Sequence, residues 1–372
     1  MTQTAKRIQQ FIVILVFFGM LAGFLLANLL TPDTEISESE RRPLAKFPTY
    51  SSKNLWSGKY FSEFEDYALD QFVQRDTFRS INAHMKYDML FQKDNNNIFL
   101  RGNNIYKMEY PLREAAVSGN LEIYRKVIDN CFAGTNASLY YCVIPDKNYY
   151  LPDTDPHLTP DYDRLFEMVA EALPDATGID ICDILDSEDY YATDLHWNQP
   201  EILEVANHIL HEMGGSTRVS IDQYEAVSHP GFKGSYFGQA IVKVPTDTIT
   251  YLTNETLQNL EVLNYETGKT IPVYNEEALE KVDAYDLFLG GPKALLELKN
   301  PGAARDKQLV IIRDSFASSL APLLVGEYSS IIMVDLRYVT SDILPKFAVF
   351  EDDADVLFLH NSMILNQKGI LR

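Results

Sequence analysis

The chain has 372 residues, enough for one large domain or two modest ones, and its 46% hydrophobic and 12% aromatic content is globular in character. Fifty-three acidic against 32 basic side chains leave a net charge of −21, which repels nucleic acid and anionic lipid and argues against both as partners. Three cysteines (Cys131, Cys142 and Cys182), all in apolar stretches, are too few for a disulfide framework and read as buried free thiols.

Residues 11–30, "FIVILVFFGMLAGFLLANLL", carry no charge. At about 1.5 Å per residue they span roughly 30 Å, the thickness of a bilayer's hydrocarbon core. Lys6 and Arg7 precede the run and the acids of "TPDTEISESE" follow it. The positive-inside rule then makes residues 1–10 a cytoplasmic tail and puts the bulk of the chain outside the cytoplasmic membrane. Small residues near Ala27 leave a cleaved signal peptide as the rival reading, but the run exceeds the usual apolar region of about 7 to 15 residues. A single-pass anchor is favoured. Residues 31–58, with Pro32, Pro43 and Pro48, read as a stalk, and a domain is expected over 59–372.

That domain opens on helical spacing from 59 to 91: Phe61, Phe64, Tyr67, Ala68 and Phe72, continued by Phe78, Ile81 and Met85, until "KDNNN" breaks it. Strand and helix then alternate. "SLYYCVIP" (138–145) is a β-rich run stopped by Pro145. Tyr162, Leu165, Phe166, Val169 and Leu173 form a helix face, "GIDICDIL" (178–185) alternates like a strand, and Ile202, Ala206, Ile209 and Met213 mark another helix. Residues 215–300, with "GFKGSYFGQA" and "DTITYL", suggest a glycine-rich loop and a short strand in an insertion beside the main sheet. "QLVII" (308–312), "SIIMVD" (330–335) and "DVLFLH" (355–360) are continuous apolar runs separated by helical patterns at 315–326 and 340–350. Strands buried on both faces of a mostly parallel sheet read this way, so the fold class is α/β.

Two stretches carry candidate chemistry. In "TDLHWNQPE", Asp194 and His196 are two apart, and in an extended segment such residues share a side. The carboxylate could then orient the imidazole, as an acid does behind a catalytic histidine. Asn198, Pro200 and Glu201 follow as a candidate helix cap with its capping box. In "LVIIRDSFASS" a buried strand runs into Asp314-Ser315 and a helix follows, placing Ser315 where free amides and a helix dipole favour an oxyanion. Taken singly, these residues read more readily as a structural histidine and a helix cap, and Asp194 and His196 could also be two ligands of a metal site. Together they supply nucleophile, base and orienter beyond the carboxyl ends of strands, where doubly wound sheets place ligands.

These segments resemble those of the DHHW family, bacterial envelope proteins related to the alginate O-acetylation proteins AlgJ and AlgX and to the SGNH hydrolase fold. The likeness rests on "TDLHWN", "IIRDSFASSLAPLL" and "MVDLRY", with "ESERRPLAKFP", "GKYFSEFEDYALDQFVQRD", "VIPDKNYY", "FKGSYFGQA" and "DVLFLHNS" in the same order. It implies an SGNH-hydrolase-like three-layer fold behind the anchor. It also implies a Ser315–His196–Asp194 triad performing O-acyl (acetyl) transfer or ester hydrolysis on a cell-surface polysaccharide. A membrane-bound O-acyltransferase is the expected acyl-supplying partner, with no cofactor and no metal. The departure is Leu195, which stands where the family name has its first histidine, and it keeps open a catalytically silent assembly or polysaccharide-binding protein.

Four further residues are candidates for an oxyanion or substrate pocket: Gly234, Ser235, Asn361 and Asp314. Pro145, Asp146 and Lys147 could edge that pocket, although a turn is their ordinary reading. Arg337 reads as an ion-pair partner. Glu204, His208 and His211 share a helix face that a zinc ion could use, but it is the face opposite the apolar one, and so a solvated one. "NAS" at 136 and "NET" at 254 match a glycosylation pattern that matters only in a eukaryotic secretory pathway.

Overall fold

A computed structural model describes every residue except 1, 2, 38, 41, 153 and 243. The first two residues of the expected tail, and Glu38 and Arg41 of "ESERRPLAKFP", therefore lie outside the described residues. The chain divides into two compact units, residues 1–91 and 92–372.

In the first unit, α1 (Gln3–Leu30) is long and apolar enough to cross a membrane. Helices α2 (Lys59–Asp70) and α3 (Arg75–His84) follow. The helical run expected over 59–91 is thus broken, because Gln74 sits at φ 60° in the left-handed region. Both helices group with the N-terminal unit and not with the sheet domain.

The second unit begins with a hairpin of β1 (Ile98–Arg101) and β2 (Asn104–Lys107). Then come α4 (Glu114–Val127), β3 (Ser138–Ile144), α5 (Tyr162–Ala172), β4 (Thr177–Gly178) and α6 (Leu203–Glu212). Among the described residues, strands β5 (Glu225–Phe232) and β6 (Asp247–Thr253) pair only with each other. Strands β7 (Glu261–Asn264), β8 (Lys269–Ile271) and β9 (Leu295–Lys299) lead to β10 (Arg305–Arg313), α7 (Ala317–Leu324), β11 (Tyr328–Val334) and β12 (Asp355–Asn361).

Eight strands form one sheet in the order β8-β7-β9-β11-β10-β12-β3-β4. From β11 to β4 all neighbours are parallel; β9, β7 and β8 add an antiparallel flank. Period-two alternation explains why the parallel strands are apolar throughout. Leu309, Ile311, Leu357 and Leu359 pack with α6 and α7 on one face. Val310, Ile312, Val356 and Phe358 pack with α4 and α5 on the other. The result is a three-layer α/β unit.

Three expectations change. The strand read into 178–185 stops at Gly178, because the Asp180 carboxylate accepts the Cys182 amide and turns the chain. The helix expected at 340–350 is a single 3₁₀ turn, Leu344–Lys346, with Pro345 inside it. Only part of 215–300 stands apart from the main sheet: β5 and β6 form their own hairpin, whereas β7, β8 and β9 extend that sheet.

The register aligns the carboxyl ends of β10, β12 and β3, with Arg313 opposite Leu359 and Asn361 opposite Ile144. Asp146, Asp314 and Ser315 follow those ends directly, so they share one edge of the sheet.

Candidate active site

Ser315 leaves β10 just before α7 and is partly exposed, in contrast to its buried neighbours Arg313, Asp314 and Phe316. Its Oγ lies 2.7 Å from His196 Nε2. On the other side of the ring, His196 Nδ1 lies 2.6 Å from Asp194 Oδ1. Serine, imidazole and carboxylate thus form one hydrogen-bonded line, with Asp194 and His196 both buried. Burial alone would raise the Asp194 carboxyl. The facing imidazole and the bonds it accepts from His196 and from the Ser235 amide outweigh burial and hold it well below the ordinary carboxylate range.

The Asp-x-His pair does not meet by strand alternation. Residues 190–197 form a turn closed by a Tyr190–Trp197 bridge and by the Tyr191 amide donating to the His196 carbonyl at 3.0 Å. Asp194 Oδ1 accepts both the His196 amide (2.9 Å) and the imidazole, so an Asx-type turn brings the two side chains together. The predicted capping box is also absent: Asn198 occupies the cap position without a side-chain cap bond, ahead of a 3₁₀ turn.

The turn is held from three directions. Lys147 Nζ donates to the carbonyls of Tyr191 (2.8 Å) and Ala192 (3.3 Å). Burial holds its amine down to about 7, against the pull of Asp194, Asp247 and Asp146. Asp247 accepts the amides of Ala192 (2.9 Å) and Thr193 (2.8 Å) and the Thr193 hydroxyl. Trp197 Nε1 donates to Ser319 Oγ (2.8 Å), and Gln199 Nε2 to the Ser319 carbonyl (2.7 Å), docking the turn on α7 beside Ser315. Tyr285 completes the enclosure, with its ring stacked on His196 at a centroid distance of 3.7 Å, 5° from parallel, and its hydroxyl donating to Ser319 Oγ at 2.9 Å.

The four pocket candidates do other work. The Gly234 amide donates to Thr193 Oγ1 and the Ser235 amide to Asp194 Oδ2, so neither points at an oxyanion. A Cβ on Gly234 would lie 2.3 Å from the Thr193 carbonyl oxygen and 2.4 Å from Asp194 Cβ; only glycine permits this approach. Asp314 ties β10 to β12 by accepting the amides of Phe316 (3.0 Å) and Asn361 (2.6 Å). Asn361 is buried and caps the turn after β12, accepting the Met363 amide at 2.9 Å. Asp146 is likewise internal, bonded to Tyr162 and Ser362. Among the described residues no group takes the amide of Ser315, which is therefore free to donate to an oxyanion.

Leu195 is partly buried and packs against the main core. Arg337 forks onto Asp335 at 2.7 and 2.9 Å. Glu204 pairs with Arg218 and His211 with Glu212. Among the described residues no cluster of three or more His, Cys, Asp or Glu could hold a metal. Sequence reading missed Tyr285, Asp247 and Ser319; "DAYDLFLG" and "PTDTITYL" carry no periodicity or spacing that marks them.

A partly exposed serine at a strand end thus faces an acid-backed histidine at one edge of the α/β sheet. Residues 184–334, which contain Asp194, His196 and Ser315, match the DHHW protein family. The fold is similar to that of a DHHW family protein from Eubacterium siraeum DSM 15702, at 18% identity over 74% of this chain and 94% of that one, with a TM-score of 0.59. It is similar too to Bacillus cereus PatB1, solved with a sulfonyl adduct, at 15% identity over 74% of this chain and 99% of that one, with a TM-score of 0.57. The O-acetyltransferase domain of Pseudomonas putida AlgJ matches at 12% identity over 74% and 94% of the two chains, but its TM-score of 0.43 is too low to bear on the fold. No curated protein matches the chain.

Proposed function

We propose that the chain is a membrane-anchored extracytoplasmic serine O-acyltransferase or esterase, transferring acetyl groups on a cell-surface polysaccharide. The observation that carries this reading is the continuous hydrogen-bonded line Ser315–His196–Asp194. In the first half-reaction His196 Nε2 takes the proton of Ser315 Oγ as that oxygen bonds to the acyl carbonyl carbon. Asp194 holds the imidazole tautomer, and the Ser315 amide faces the developing oxyanion. The proton then passes from His196 to the leaving group as its bond to the acyl carbon breaks, leaving an acyl ester on Ser315. In the second half-reaction His196 takes a proton from a sugar hydroxyl, or from water, whose oxygen attacks that ester. Returning the proton to Ser315 Oγ releases the acylated sugar or the free acid.

The charge-free run of α1, with Lys6 and Arg7 before it and acids after it, supports the anchored, outward orientation. A membrane-bound O-acyltransferase is the partner that would supply the acyl group. Replacing the native gene by a Ser315→Ala variant should abolish the protein's share of cell-surface O-acetyl content; unchanged acetylation removes Ser315 as nucleophile. A serine-reactive phosphonate distinguishes this reading from a silent assembly protein, because the enzyme acquires an adduct at Ser315 and the scaffold none.

A further inference from the structure

The apolar face of α2 and α3 is only partly covered by the described residues of its own unit. Its large residues, Phe61, Phe64, Phe72, Phe78, Ile81 and Met85, fall at helical intervals on either side of the Gln74 break. They are between 36% and 61% exposed, and Trp56 just before α2 is 88% exposed. A water-facing surface rarely carries so continuous an apolar stripe.

The polar side of the same hairpin is roofed. Asp70 accepts the Arg42 guanidinium through both oxygens, at 2.6 and 2.7 Å, and the Ala45 amide at 2.9 Å. Arg75 and Arg79 reach Glu40 at 2.8 and 3.3 Å. One side is thus satisfied by ions and the other left partly uncovered, the asymmetry of a helix lying at a boundary between polar and apolar media.

What covers the rest of that side follows from where the hairpin turns. Phe72 and Phe78, 5.7 Å apart, each lie 5.7 Å from Phe24 of α1, the first stacked on it and the second tilted. The Val73 amide donates to Asn28 Oδ1 at 2.7 Å. Phe24 precedes the end of α1 by six residues, about 9 Å along a helix axis. The corner of the hairpin therefore joins α1 within its apolar run, at about the 5 to 10 Å depth of interfacial helices.

We propose that α2 and α3 lie in the outer leaflet as an interfacial hairpin, with Phe61, Phe64, Phe78, Ile81 and Met85 among the acyl chains and Trp56 at the headgroup level. This rests on the reading of α1 as a membrane anchor. The net charge of −21 excludes recruitment by anionic headgroups, so the occupant is the hydrocarbon of the bilayer and insertion is driven by apolar burial.

The test uses the full-length protein reconstituted into phosphatidylcholine vesicles that contain a lipid with a diazirine on its acyl chain. Irradiation is followed by peptide mass spectrometry. Adducts are expected both in 11–30 and at the five apolar positions, with yields there about tenfold above those at Asp66 and Arg79 on the polar side. Adducts in 11–30 with none from 61 to 85 overturn the hairpin proposal while leaving the anchor intact. Crosslinks between the hairpins of two copies, without lipid adducts on them, overturn it in favour of self-association. No adduct in either region removes the anchor and this inference together.

Discussion

Tyr285 is the residue whose role the geometry makes most specific. Its ring covers one face of His196, and Phe316 lies against the same imidazole at a 4.8 Å centroid distance and 51°. An imidazole confined this way keeps Nε2 on Ser315 Oγ, and an aromatic face also favours the transient imidazolium. Tyr285 touches no reacting atom, so it is a positioning residue. Tyr285→Leu should lower kcat for acetyl-ester turnover by about 10-fold to 100-fold with little change in KM, the scale of lost orientation. Tyr285→Phe keeps the stack and loses only the bond to Ser319 Oγ, so it should restore most of the rate. Equal losses in both variants would mean that the hydroxyl, and not the ring, is what matters.

At the scale of elements, the site depends on one turn pressed between a glycine and α7. Gly234 lies against the Thr193 carbonyl and Asp194 Cβ, both parts of the chain that cannot rotate away. Gly234→Ala should therefore push Asp194 off its imidazole, costing about 2 kcal/mol in stability by overpacking. It should also slow phosphonate labelling of Ser315 more than a destabilisation of that size explains. Thermal unfolding and labelling rates on one sample check this, and wild-type labelling would show that the turn can yield. The elements themselves differ in how plainly they were written. Strands β10, β11 and β12 and helix α7 were legible because each is buried on most sides and its apolar run has nowhere else to go. The helix expected at 340–350 was not, because the apolar spacing of Ile343, Leu344 and Phe347 fits one 3₁₀ turn as well as a longer helix, and Pro345 settles for the shorter. Asp194, His196 and Ser315 were visible as short local patterns. Tyr285 and Asp247 enter from distant parts of the chain, and only the tertiary fold gives them a partner.

At the scale of the whole molecule, the parallel sheet buries a titratable group that the proposed chemistry does not use. His360, on β12, is fully enclosed, with its Nδ1 2.6 Å from the Tyr124 hydroxyl and its Nε2 without a partner among the described residues. Burial pushes its pKa down from 6.5 to about 4; Asp314 and Asp335 pull it up, and Arg337 and Arg313 push it further down. The folded state therefore holds this imidazole neutral at a pH where the unfolded chain would protonate it. Its contribution to stability is complete above pH 6.5, falls as pH drops through the window from 6.5 to 4, and is lost below that. The loss amounts to about 3 kcal/mol by linkage, a large share of the stability of an ordinary domain. His360→Asn should thus flatten the pH dependence of the unfolding free energy across this window by about that amount, whatever it does to stability at pH 7.5. Carboxylates titrate in the same range, so the quantity to compare is the difference between wild type and variant, measured by urea unfolding of the detergent-solubilised protein at intervals from pH 7.5 to 4. Parallel curves would mean that the enclosed imidazole takes up its proton in the folded state, and that the core around β12 opens to water more readily than its packing implies.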